Sequence, residues 1–363
     1  FTSYPVFNKS APTSSHWIEK IMATPEGQLL IGTSKQGLKL FDIQSATYED
    51  ILTYNTDKTE IYVRDFIQYK DSEYWIATES GIFIYDLKSR QSINLQKKYN
   101  DPYSISDNAI YTFCKDQEGG IWAGTYFGGV NYFPRQYTSF EKFFPRPGEN
   151  SLSGNAVREI CPDHYGNLWI GTEDAGLNKL CLATGVITSF KPTSTRQGIS
   201  NTNIHGLLVQ GDTLWIGTFD HGLDVMDIKT GKVLRHYVAG PGEHELKSNF
   251  IYNILRTSAG DLLIATSRGM YRYNPVSKDF TTIRQVPDYI FYLAIFEDSK
   301  GTIWAGTYRD GIYFFHPGSN QKGLYVHDAA DSTSLSNNRV NRIFEDSNGS
   351  IWFATDGGLC KLN

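Results

Sequence analysis

A threonine recurs along this chain, and the residues that follow it include many groups able to hold a sugar. Tyr126, Phe219 and Tyr308 each directly follow one copy, with Phe127, Asp174, Asp220, His221, Arg309 and Asp310 at neighbouring positions. Aromatic rings stack on the C–H faces of sugars while Asp, Arg and His fix the hydroxyls. The plainer account is that such aromatics pack a neighbouring loop or a partner domain. A second series lies upstream of a recurrent tryptophan. Counting back twelve residues from it and reading the next gives Glu19, Arg64, Tyr111, Arg158, Tyr252, Leu293 and Asn341. A copy with a turn one residue shorter supplies His205. All but Leu293 are polar or aromatic, which suggests a ring of groups around the mouth of a channel; a merely water-filled polar channel is the competing account. Arg64 and Arg158 would suit a carboxylate or sulfate, since guanidinium matches either bidentately, which makes an acidic glycan one candidate.

Catalytic chemistry finds less support. Glycoside hydrolysis needs two carboxylates about 5–10 Å apart. Asp174, Asp220 and Asp310 could supply such a pair, yet nothing separates them from ordinary turn aspartates. His205 and His221 fall in one repeat and could act as acid and base in a lyase. No G-x-S-x-G, phosphate loop or H-E-x-x-H occurs. Cys114, Cys161, Cys181 and Cys360 form neither a C-x-x-C pair nor a zinc spacing. The expectation is no catalytic residue, no metal and no cofactor.

The elements that must position these groups come from a repeat. The same segment occurs eight times, most clearly as DQEGGIWAGTYFGGV from Asp116, DHYGNLWIGTEDAGL from Asp163, GDTLWIGTFDHGL from Gly211, DSKGTIWAGTYRDGI from Asp298 and DSNGSIWFATDGGL from Asp346. Weaker copies start at Gly27, Tyr74 and Gly260. The anchor threonines are Thr33, Thr78, Thr125, Thr172, Thr218, Thr266, Thr307 and Thr355, spaced 41 to 48 residues apart. Six of the 7 tryptophans hold one repeat position: Trp75, Trp122, Trp169, Trp215, Trp304 and Trp352. Each unit reads as four short strands with tight turns, the size of a propeller blade. The D-x-x-G element reads as hairpin chemistry, and the tryptophans as core between blades. The chain stops after a third strand, and FTSYP at its start resembles the fourth-strand segments from Thr138 and Thr188. The predicted fold is therefore all-β: one domain over residues 1–363, a closed propeller of four-stranded blades. Eight blades are expected, with seven as the alternative, the N-terminal strand completing the last.

Composition agrees. The 363 residues are 14% aromatic and 20% charged, with 33 Gly, which favours strands and turns. A net charge of -5 argues against nucleic acid, which needs a basic surface. No apolar run approaches the roughly 20 residues that span a bilayer, so no membrane insertion is expected. The chain begins at Phe1, so a targeting segment, if there was one, is expected to have been removed or left out of this sequence.

The pattern D-x-x-G-x-[IL]-W-[IA]-G-T-x-x-x-G-[LIV] resembles the two-component regulator propeller repeat, found in the periplasmic sensor regions of hybrid histidine kinases of gut Bacteroidetes. The resemblance implies a periplasmic, oligosaccharide-sensing propeller, not itself an enzyme, that acts through other domains of its parent sensor, with a homodimer as a further option. Family members usually carry two seven-bladed propellers, an immunoglobulin-like domain, a membrane helix and kinase modules. No dimerisation histidine segment or ATP lid is found here, so signalling is expected of the parent protein only. A propeller lyase, a glycoside-active enzyme and a protein-interaction scaffold remain the alternatives.

Overall fold

The structure, a computed structural model, describes residues 1–8, 17–135, 141–195 and 197–362. Among them the regular structure is entirely β: 30 strands in eight antiparallel sheets, spanning 18–52, 63–95, 110–133, 157–190, 204–237, 251–282, 292–325 and 340–361. Six sheets have four strands, and the third and eighth have three. Each four-stranded sheet is a meander whose strands pair in sequence order, so every blade is one repeat and the count of eight holds. The chain falls into two compact units, residues 1–142 with the first three blades and 143–363 with the other five.

The fourth blade shows why the sequence folds this way. Its strands are Val157–Pro162, Asn167–Thr172, Leu177–Cys181 and Ile187–Phe190. The turn after the first strand is built by Asp163, whose Oδ1 accepts the Tyr165 and Asn167 amides at 2.9 and 3.0 Å, while Gly166 takes a φ of 77°. The other oxygen, Oδ2, accepts the indole N–H of Trp169 at 2.9 Å. The same Asp-to-indole bond joins Asp116 to Trp122, Asp298 to Trp304 and Asp346 to Trp352, at 2.9 to 3.0 Å. The motif is thus turn and core anchor at once. In the shorter fifth copy the aspartate is missing, and the buried Trp215 Nε1 has no hydrogen-bond partner. At Asp346 the Trp352 indole, with the Ser350 and Asn348 amides, holds the carboxyl below the usual carboxylate range.

The anchor threonine closes the other end of the second strand. In all eight blades its hydroxyl donates to the carbonyl of the glycine that opens the third strand, at 2.7 to 3.0 Å. Only glycine fits there: Gly37 and Gly222 have φ of 62° and 85°, and a Cβ would lie 1.8 Å from Leu52 O and 2.1 Å from Tyr237 O. The N–H of the same glycine reaches the following blade, as Gly176 to Thr202 O, Gly222 to Asn249 O and Gly269 to Ile290 O, each at 2.8 Å. One hairpin corner therefore ties the strands of a blade and the blade to its neighbour.

Blades stack through apolar faces. Trp169, Leu177, Ile204, Leu214 and Ile216 pack between the fourth and fifth blades, and Leu223, Ile251, Leu262, Ile264 and Tyr271 between the fifth and sixth. In the first unit Leu30, Leu38, Val63, Phe66 and Ile76 do the same. Trp75, Trp169, Trp215 and Trp304 are buried, as core residues should be. Trp122 and Trp352, in the last blade of each unit, are more open.

The N-terminal strand expected to complete the last blade is not formed. Residues 1–8 adopt no strand, and the eighth sheet has three strands among the described residues. Tyr4 instead packs edge-on against Phe41 at 5.4 Å, and Val6 is buried with Ile31 and Phe41 of the first blade. These apolar contacts hold the segment on the first blade. The fourth strand expected from Thr138 in the third blade begins outside the described residues.

Replacing Thr172 by Val keeps shape and burial but removes the hydroxyl that donates to Gly176 O and accepts the Ala175 amide. The expected cost is about 1–3 kcal/mol, read as a lower Tm in a thermal melt.

Candidate functional site

In every blade the upstream candidate sits on a β-bulge. The register between first and second strands skips one first-strand residue each time: Glu19, Arg64, Tyr111, Arg158, His205, Tyr252, Leu293 and Asn341. A bulged residue has no cross-strand partner, and its side chain is re-aimed. It lands beside the residue after the anchor threonine, because that residue's amide bonds back to the carbonyl two positions before the bulge. Examples are Tyr126 to Ala109, Glu173 to Ala156, Phe219 to Asn203 and Tyr308 to Phe291, at 2.9 to 3.1 Å. The two candidate series are therefore one set of side-chain pairs on the rim of each unit.

In the first unit these pairs form a continuous stack. Arg64 lies between the rings of Tyr62 and Tyr111, 3.9 and 4.6 Å from their centroids, and donates to Glu79 at 2.5 Å. Tyr111 stacks on Tyr126 at 5.0 Å, and Tyr126 meets Phe127 edge-on at 4.3 Å. Trp17, the tryptophan outside the repeat position, closes the other end against Tyr62 at 6.3 Å. Phe127 is 87% exposed.

The second unit carries a cavity beside its bulged residues. Arg158 donates to Glu173 at 2.6 Å and lies 4.9 Å from the centroid of the Tyr252 ring. Those three residues, with Ala156, Val157, Asn341 and Arg342, line a cavity of about 410 Å³. Arg342 pairs with Glu159 at 3.5 Å, and burial pushes the Glu159 carboxyl up against the pull of Arg342 and Arg158. His205 is 94% buried, given its 6% exposure, inside a cage of Phe219, Phe250 and Tyr252 at 5.1 to 5.5 Å. Its Nε2 lies 3.6 Å from Glu173, and its Nδ1 has no hydrogen-bond partner. From Tyr252 the aromatics continue through Phe291 to Tyr308, which stacks on Phe291 at 5.4 Å and carries Arg309 and Arg339 over its ring.

Other candidates serve turns. Asp174 accepts the Asn155 and Ala156 amides at 3.0 and 3.4 Å, and Asp310 donates its amide to Thr307. Asp220 and His221 bond one another and share Asn201. Leu293 is buried, so the seventh blade presents Phe291 and Tyr308 at the rim. Glu79, Glu173, Tyr62, Phe250 and Phe291 were missed. Their signal was available, since they occupy the post-threonine position or the position two before the bulge. Among the described residues no group of His, Cys, Asp and Glu could hold a metal ion.

Burial, with Arg158 adding to it and Glu173 opposing, lowers the His205 pKa from about 6.5 to about 4. The native state then keeps this ring neutral where the unfolded chain is protonated, so stability is lost as the pH falls from about 6.5 towards 4. His236 runs the other way: its bond to buried Asp224 raises its pKa, and the stability it contributes is lost as the pH rises through the raised value. Melting His205→Phe against the parent chain across this range should show a shallower acid-side loss of Tm; an unchanged slope would contradict the assignment.

Comparison with known proteins agrees with the architecture. The family described as two component regulator propeller matches residues 104–127, 151–174, 285–309 and 334–357, each ending within the turn after an anchor threonine. No curated protein matches the chain. Two solved structures, extracellular domains of proteins assigned as hybrid two component systems in B. thetaiotaomicron, share 22% and 20% identity with it, at TM-scores of 0.53 and 0.51. Each likeness covers 95% of this chain but only 56% and 53% of the solved one, so the chain spans little more than half their length. At these identities the likeness is one of fold. By its repeats the chain resembles the two component regulator propeller family, whose model matches four of the eight.

Proposed function

We propose that this chain is the ligand-sensing propeller of an extracytoplasmic two-component receptor, and that it takes an oligosaccharide on the rim of its second unit. The observation that carries the reading is the bulge that presents Arg158, His205, Tyr252 and Asn341 from four separate blades of that unit. A rigid scaffold that repeats one side-chain presenter is suited to a multivalent polar ligand. The cavity of about 410 Å³ falls within the ~300–1,000 Å³ usual for small-ligand sites. It offers one aromatic ring, Tyr252, beside the guanidinium, carboxylate and amide groups of Arg158, Glu173 and Asn341. Placement outside the cytoplasm is supported by the extracellular origin of the solved neighbours, and no helix among the described residues is long and apolar enough to cross a membrane. In the parent protein, occupancy would bias a kinase by binding one signalling state more tightly than the other.

A hydrolytic or lyase reading has weaker support. Asp174 and Asp220 are engaged in turns, and His205 and His221 are held by different partners, one in an aromatic cage and one on an exposed aspartate.

A thermal-shift screen of the protein against neutral and acidic oligosaccharides, with calorimetry on each hit, tests the proposal. A selective shift without product formation is expected, and Tyr252→Ala should weaken the hit about tenfold or more. New reducing ends or unsaturated products would make the protein an enzyme; no shift with any glycan would refute the sugar reading.

A further inference from the structure

The rim arginines of the second unit face the cavity already paired. Arg158 holds Glu173 at 2.6 Å and Arg342 holds Glu159 at 3.5 Å, so two cations and two carboxylates balance around one cavity. His205 beside them stays neutral through most of the acid range, adding no charge. The first unit repeats the device at the equivalent positions, with Arg64 on Glu79 at 2.5 Å. In both blades the carboxylate is the residue after the anchor threonine, whose backbone is fixed by the hairpin corner. The Arg158 guanidinium meets the Tyr252 ring and the Glu173 carboxylate, and its Nε has no hydrogen-bond partner.

Resting on the oligosaccharide reading above, we propose that Glu173 sets the charge preference of this site. By occupying Arg158 it reserves the cavity for uncharged, hydroxyl-bearing sugars and excludes uronic and sulfated ones. A sugar hydroxyl can donate to Glu173 and accept from Arg158 without parting them. A ligand carboxylate or sulfate must displace a carboxylate that is tethered in place, and would leave Glu173 without its cation. Tyr252 offers its ring to either ligand, so discrimination falls to the ion pair. Glu173 acts here as a specificity-determining residue.

The test uses sulfate and glucuronate as probes, titrated calorimetrically at constant ionic strength into the parent chain, Glu173→Gln, Glu173→Asp and the double variant Glu173→Gln/Arg158→Ala. Glu173 is partly exposed, and matched melting curves verify that each variant is folded. Glu173→Gln should bind both anions at least about tenfold more tightly than the parent. Glu173→Asp should retain the parent's behaviour, and the double variant should lose the gain. Parent and Glu173→Gln binding the anions equally, or a gain that persists without Arg158, would overturn the proposal. The anion gain is read without any glycan. Its presence with no neutral sugar bound would sink the oligosaccharide reading alone, and neutral binding without the gain would sink the charge preference alone.

Discussion

A threonine hydroxyl bonded to a glycine carbonyl is the contact on which the rest of this molecule turns. It recurs in all eight blades and fixes the hairpin between second and third strands. The glycine it holds must take a positive φ, and that conformation turns the glycine N–H towards the next blade. The residue after the threonine is fixed in the same corner, and its amide clamps the first strand where that strand bulges. Core, neighbour and rim are set by one corner.

The bulge explains how a repeat built for stability can present side chains that differ from blade to blade. An unbroken first strand would alternate its side chains between the two stacking faces. One extra residue per strand breaks the alternation at the same height in each blade and re-aims a side chain. The sequence can then vary it among Glu, Arg, Tyr, His and Asn without disturbing the core. The paired position after the threonine varies with it, giving Arg with Glu, Tyr with Tyr and Asn with Asp. Where the seventh blade places Leu at the bulge, Phe291 two residues earlier takes over the rim.

Periodicity made the blades legible: tryptophan, threonine and glycine recur because each has a fixed geometric task. The rim positions could be found by counting, since the bulge falls at the same distance from the tryptophan position in every blade but the shorter fifth. The pairing could not. Arg158 looked like a free anion receptor because nothing in its neighbourhood along the chain says that Glu173, fifteen residues on, folds against it. The aspartates after the threonine looked like ligands, yet Asp174 is consumed by two backbone amides. The N-terminal segment misled for a related reason. FTSYP has the pattern of a fourth strand, but Tyr4 and Val6 find apolar partners on the first blade. Local pattern gives the strand-forming tendency of a segment and leaves its partner open.

The central claim, that the bulged rim of the second unit is the sensing surface, is tested most directly by amide hydrogen exchange with and without a bound oligosaccharide. Protection should appear at the segments following Thr172 and Thr218 and at the first-strand bulges of Arg158 and Tyr252. The opposite turns around Asp163 and Asp298 should exchange unchanged. Protection confined to those turns would contradict the account.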